Sequence, residues 1–110
     1  MMTMTPDADL QVWLDTHANQ GQMRIVPYVK SMKDVLLEFR MQVVQQGRGG
    51  NSRVSQQGQL RVPASQAMPL AQVNVGMSDR ESCSVEISLR KDGMDAGVYR
   101  FDCNETGGPR

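Results

Sequence analysis

The stretch that decides the fold runs from Cys83 to Cys103 and reads CSVEISLRKDGMDAGVYRFDC. In both of its halves apolar side chains alternate with polar ones, which is the two-residue period of a half-buried strand. Between the halves, Asp92-Gly93 is the dipeptide typical of a tight hairpin turn. The stretch therefore predicts a β-hairpin centred on Gly93, with Val85 opposite Phe101 on one face.

The two cysteines are equidistant from Gly93, so the hairpin sets Cys83 opposite Cys103. This placement predicts a cross-strand disulfide. The alternative is a pair of free buried thiols in a cytosolic core, because cytosolic proteins seldom keep disulfides. Two Cys and one His are too few for a structural zinc site, so no metal and no cofactor are expected.

The same period recurs outside the hairpin, although Ser52–Val62 is more polar and is expected to break near Gly58. No segment has a convincing helical pattern. Seven strands are predicted in all: Leu10–Asp15, Met23–Val29, Val35–Val43, Ser52–Val62, Ala71–Met77, Cys83–Leu89 and Tyr99–Cys103.

Seven short strands separated by turn signals indicate an all-β fold, a seven-stranded antiparallel immunoglobulin-like β-sandwich. The expected domain spans residues 8–103, between a disordered N-terminus (1–7) and a disordered tail (104–110).

Pro27 lacks an amide donor and predicts an edge position or a bulge. Trp13 lies on the polar side of its strand and is either the buried tryptophan of a sandwich or partly exposed. The predicted core between the sheets contains Val35, Leu37, Phe39, Met41, Val85, Ile87 and Phe101.

Composition excludes several classes of function. The 110 residues carry 12 Lys and Arg against 12 Asp and Glu and few aromatics, which disfavours nucleic-acid binding. No apolar run reaches the ~20 residues that cross a bilayer. Residues 1–7 lack the features of a signal peptide, so the expectation is a cytosolic protein or a mature form without its signal. His17, the one imidazole, is expected in a turn away from any nucleophile, which indicates a binding module and not an enzyme. The module is expected to be a monomer.

Charge is uneven along this neutral chain. Between residues 24 and 61 seven basic residues stand against Asp34 and Glu38 alone. Such a segment predicts a positive patch that steers a partner of complementary charge; the alternative is a solvated surface with no partner. The candidate binding residues are Arg24, Lys30, Lys33, Arg40, Arg48, Arg53 and Arg61.

Several motifs occur in a familiar order. They are Met23–Val29 with its proline, the loop Gly47–Ser52, the segment Gln57–Gln66, the strand Leu70–Val75 and the turn Asp92-Gly93. This ordered set resembles the curli assembly chaperones of the CsgC/CsgH family over residues 20–93. The resemblance implies an immunoglobulin-like domain of the bacterial periplasm that inhibits premature amyloid assembly of the curli subunit, its partner.

One feature of that family is missing. Some members carry a Cys-x-Cys pair where this chain has Val35 and Leu37, so the chain is similar to the branch without the pair and no redox role carries over. Two modes of holding the subunit are open, a basic face that captures it by charge and an edge strand that pairs with it; the uneven charge favours the first. The alternative functions are a secreted β-sandwich binding or adhesion module, for which Trp13 and Tyr28 are the aromatic pair, and a subunit of a surface-fibre assembly.

Overall fold

A computed structural model describes residues 9–47, 50–76 and 80–103, with the backbone alone for residues 80 and 81. These ranges contain no helix, and none therefore that is long and apolar enough to cross a membrane. The termini predicted to be disordered and Arg48 lie outside them. The described strands are β1 (Leu10–Asn19), β2 (Gln22–Ser31), β3 (Val35–Gly47), β4 (Gly50–Val62), β5 (Met68–Pro69), β6 (Val73–Gly76), β7 (Arg80–Lys91) and β8 (Met94–Asp102).

The strands form two antiparallel sheets. In the first sheet β2 lies between β1 on one side and both β5 and β6 on the other; the second sheet has the order β4-β3-β7-β8. One continuous cluster of buried apolar side chains fills the space between the sheets. Alternate residues of most strands contribute to it, whereas β4 contributes Val62 alone. The all-β class and the two-sheet arrangement predicted from the alternation are confirmed.

Two local differences from the sequence prediction concern strand boundaries. The described strands number eight and not seven, because Met68 and Pro69, expected in a turn, pair with Val29 and Tyr28 as the two-residue β5. The predicted break near Gly58 is absent, since β4 pairs with β3 without a shift over 13 residues. The strand propensity of the residues predicts neither β5 nor the continuity of β4 at Gly58, because both depend on pairing with a neighbouring strand.

Pro27 lies in the central strand of the first sheet, so the predicted edge position is wrong. Its carbonyl oxygen accepts a hydrogen bond from the backbone N–H of Leu70 at 2.8 Å. In a strand the N–H and C=O of one residue point to the same side, so the missing donor also faces Leu70. Beside Pro27 the segment that pairs with β2 is interrupted, because β5 has ended and β6 has not begun. The break in the strand pairing therefore lies in that segment and not in β2.

The β7–β8 hairpin has the predicted cross-strand pairs, but its turn is centred between Asp92 and Gly93 and not on Gly93. A register shift between Leu89 and Arg90 gives the predicted pairing from Leu89 onward. Val85 pairs with Phe101, and the two-residue loop of Asp92 and Gly93 has φ angles of 53° and 78°, as a type I′ turn requires. Cys83 and Cys103 form the predicted disulfide across a Cα–Cα distance of 5.4 Å, and both are buried. The alternative of free thiols is therefore wrong.

Removing this disulfide should destabilise the protein. In the chain-entropy account, a cross-link between residues 20 positions apart stabilises by about 3 kcal/mol. We expect that loss in the free energy of unfolding for Cys83→Ala/Cys103→Ala, measured by urea titration against the parent. The denatured, unreduced parent should show no titratable thiol, and finding two would contradict the prediction.

Phe39 departs from the predicted core. The other six residues of that prediction are buried, whereas Phe39 is half-buried and packs against the edge of the cluster. Its cross-strand partner is Gly58 on the edge strand β4, and a Cβ added at Gly58 would lie 3.2 Å from a ring carbon of Phe39. The ring thus covers an edge glycine and remains open to solvent on one side.

Because of this exposure, Phe39→Ala should cost about 2 kcal/mol, less than the 3–5 kcal/mol of a fully buried phenylalanine. Leu37→Ala, two residues away on the same face and fully buried, is the matched control and should cost about 3 kcal/mol. Both values come from denaturant unfolding. A Phe39→Ala cost above that of Leu37→Ala would show that the ring is a core residue after all.

Candidate functional site

The outer face of the second sheet carries the arginines of the middle strands. Residues of β3 and β4 alternate between the core and the solvent, and this alternation points Arg40, Arg53 and Arg61 outward. All three are exposed. We call these three residues the basic face. Glu38 is the one carboxylate among the outward-pointing residues of β3 and β4 that the structure describes.

The other half of the same sheet is electrostatically balanced. On β7 and β8, Glu86 and Arg100 form an ion pair at 2.7 Å, and the Arg90 guanidinium donates to the carbonyl oxygen of Gly93 at 2.6 Å. The ion pairs between described side chains leave out all three arginines of the basic face. Positive charge without a counter-ion is therefore concentrated on the β3–β4 half of the sheet.

The remaining predicted binding residues lie elsewhere. Arg24 and Lys30 point outward from β2, on the opposite side of the sandwich. Lys33 lies between β2 and β3 and pairs with Asp9 at 3.9 Å, and Arg48 lies outside the described residues. The seven predicted residues therefore do not form one patch, because β2 belongs to the first sheet and β3 and β4 to the second.

Uncharged polar side chains separate the arginines. Asn51, Ser55, Gln57 and Gln59 alternate with Arg53 and Arg61 along the outward side of β4, and all are exposed. The core-facing side of this strand is largely open, with Ser52 and Gln56 among apolar residues and Val62 as its one buried side chain. The polar outer side of this strand is visible in the sequence, whereas its position at the edge of the sheet is not.

An open groove of about 610 Å³ crosses this outer face. Gln57, Arg40 and Ser88 form one wall, while Gln59, Glu38 and Arg90 form the other. Its lining offers amide and guanidinium donors and two carboxylates, those of Glu38 and Asp95, which suits an extended polar chain. In the described ranges no group of three or more His, Cys, Asp or Glu is placed to hold a metal ion.

The first sheet has a different outer face. Trp13 and Tyr28 are cross-strand partners whose rings stack at 5.7 Å with an interplanar angle of 11°, and both are half-buried. Trp13 is therefore partly exposed and not the buried tryptophan of a sandwich. His17, expected in a turn, lies instead near the end of β1, exposed and opposite Arg24.

Comparisons with known proteins place this geometry in a family. The sequence profile described as "Thin aggregative fimbriae synthesis protein" (Tafi-CsgC) matches residues 6–96. Two solved structures are similar to the chain. R. palustris CsgH has a TM-score of 0.70 at 16% identity, covering 86% of this chain and 92% of its own. The curli protein CsgC of E. coli has a TM-score of 0.71 at 18% identity, covering 84% and 97%. No curated protein sequence matches the chain.

The profile match spans most of the chain, so the protein belongs to the thin aggregative fimbriae synthesis (CsgC/CsgH-like) family, as the ordered motifs indicated. Membership assigns it a role in the biogenesis of curli fibres. The two structural matches show that its fold is the one found in CsgC and CsgH.

Proposed function

We propose that the protein is a periplasmic chaperone that inhibits premature amyloid assembly of the curli subunit, acting as an immunoglobulin-like monomer through transient electrostatic contacts. The observation that carries the proposal is the basic face, three exposed arginines without ion-pair partners among the described side chains of a family member. The proposal requires binding and no catalysis.

The physical logic concerns the first steps of fibre growth. An amyloid assembly templates many additions through backbone pairing and stacked polar side chains, so blocking a few early assemblies suppresses much later growth. Brief contacts are sufficient for this purpose. Exposed arginines supply them, because complementary charge raises the rate of encounter more than it raises the affinity.

The disulfide supports the proposed compartment. Cys83 and Cys103 are buried and joined, and disulfides persist in oxidising environments such as the bacterial periplasm. A periplasmic location would bring the chaperone to the curli subunit before the subunit is exported.

The basic face makes a specific prediction. Substoichiometric parent protein should lengthen the lag phase of a purified curli subunit, followed by thioflavin fluorescence. Arg40→Glu/Arg53→Glu/Arg61→Glu should lose most of this extension. The effect of the parent should also weaken as salt rises, since exposed charges more than about 10 Å apart are screened at 0.1 M salt.

The opposite sheet provides the matched control. Arg40→Glu/Arg53→Glu on the basic face and Arg24→Glu/Lys30→Glu on the other side of the sandwich change the charge by the same amount. The first should lose much of the lag extension, whereas the second should leave it near the parent value. Equal losses in the two variants would show that total charge, and not the basic face, captures the subunit. A parent that leaves the lag time unchanged would refute the proposed function.

A further inference from the structure

β4 is an outermost strand of the second sheet, and among the described strands it pairs with β3 alone. Its 13 residues make it the longest free edge in the described ranges, ahead of β1 with 10 residues and β8 with nine. An unpaired edge presents a row of backbone N–H and C=O groups that another extended chain can bond.

The direction of these backbone groups can be followed across the sheet. The N–H of Cys103 donates to the C=O of Cys83 at 3.1 Å, so the odd-numbered residues of β7 point their backbone groups toward β8. Successive residues of a strand point these groups to opposite sides, and the register carries the alternation through β3 into β4. The residues of β4 whose N–H and C=O point to the free edge are Asn51, Arg53, Ser55, Gln57, Gln59 and Arg61.

Natural sheets protect edges with prolines, lysines, bulges or short strands. The far edge of the first sheet is split into the short strands β5 and β6, and β5 contains Pro69. On β8 the pairing with β7 shifts in register after Leu89. β4 has no proline, no lysine and no shift in its register with β3, and its charged residues, Arg53 and Arg61, repel basic strands but attract acidic ones. β1 also lacks proline, lysine and a register shift, but it is shorter.

The side chains of β4 indicate what this edge receives. The strand contains four Gln and Asn residues and two Arg but no carboxylate, and Asn and Gln side chains form ladders when like strands stack. A second copy of this chain fits poorly, because a β4–β4 ribbon would gather four arginines on one face. Side-chain ladders favour a partner strand that is rich in Gln and Asn, and charge complementarity with the arginines favours one that carries acidic residues.

We propose that the free edge of β4 binds an extended, Gln/Asn-rich and acidic segment of the amyloid-forming subunit by strand addition. This inference rests on the proposed function and adds where and in what conformation the subunit is held. The basic face recruits the segment, and the outward N–H and C=O groups of β4 then pair with it. The edge of the segment that faces β4 is then paired with the chaperone, so that edge no longer templates another subunit.

The test removes a single outward donor. The N–H of Ser55 points to the free edge, so Ser55→Pro deletes it without removing a bond to β3, and proline is tolerated at edges. Compared with Ser55→Ala, Ser55→Pro should lose most of the lag extension at every salt concentration. Ala18→Pro is the matched control, because the N–H of Ala18 points outward from the opposite edge strand β1; it should behave like the parent.

A second variant separates edge pairing from charge. Val54 lies on the core-facing side of β4 but is 38% exposed, so Val54→Lys is compatible with folding. An inward-pointing lysine is a natural block to edge pairing, and the variant should therefore shorten the lag extension. If the subunit is captured by charge alone, Val54→Lys should instead lengthen the lag extension, because the substitution adds a positive charge.

Amide hydrogen exchange checks the contact directly. Adding the subunit to the folded parent should slow exchange at Arg53, Ser55 and Gln57 but not at the outward amides of β1. If the parent delays fibrils while Ser55→Pro and Val54→Lys match it and these amides stay unprotected, strand addition is wrong and the proposed function stands. If the parent causes no delay, the proposed function fails, whereas protection of the β4 amides would still support the contact.

Discussion

The hydrogen-bond ladder between β3 and β4 is the constraint on which the candidate site depends. β4 contributes little to the core, since Val62 is its one buried side chain, and it is held in place by 13 regular pairs with β3. Phe39 assists by covering Gly58 where β4 has no side chain of its own. A strand held by backbone pairing is free to carry exposed polar and charged side chains, and the arginines that β4 contributes to the basic face follow from this freedom.

Much of the fold was accessible from the sequence because its signals are local. A two-residue period reports which side chains are buried, and it identified the buried residues of β1, β2, β3, β7 and β8. The Asp92-Gly93 turn located the hairpin, and the equal spacing of the two cysteines from Gly93 predicted the disulfide; the register shift between Leu89 and Arg90, which sets Cys83 opposite Cys103, left no signal in the sequence. Pairing between distant segments leaves no such signal. Pro27 was therefore assigned to an edge although β2 is central, and β5 was missed because its two residues form a strand only against Tyr28 and Val29.

The candidate site shows the same division between local and distant information. The outward direction of Arg40, Arg53 and Arg61 follows from strand parity, but the sheet to which each strand belongs does not. The seven basic residues were therefore grouped by their closeness in sequence, and the structure places Arg24 and Lys30 on the opposite side of the sandwich. The open edge of β4 was equally hidden, because a strand becomes an edge only through the order of strands in the sheet.

The disulfide has a consequence for local opening of the second sheet. The turn at Asp92 and Gly93 closes one end of the β7–β8 hairpin and the Cys83–Cys103 bond closes the other, so these strands form a covalent ring. A ring of this kind resists fraying, whereas β4 has free backbone on one side and few apolar contacts, which are the marks of a low-stability segment. We therefore expect thermal opening to begin at β4 and to stop at the ring, so that the strand proposed to bind a partner is also the one that loosens first.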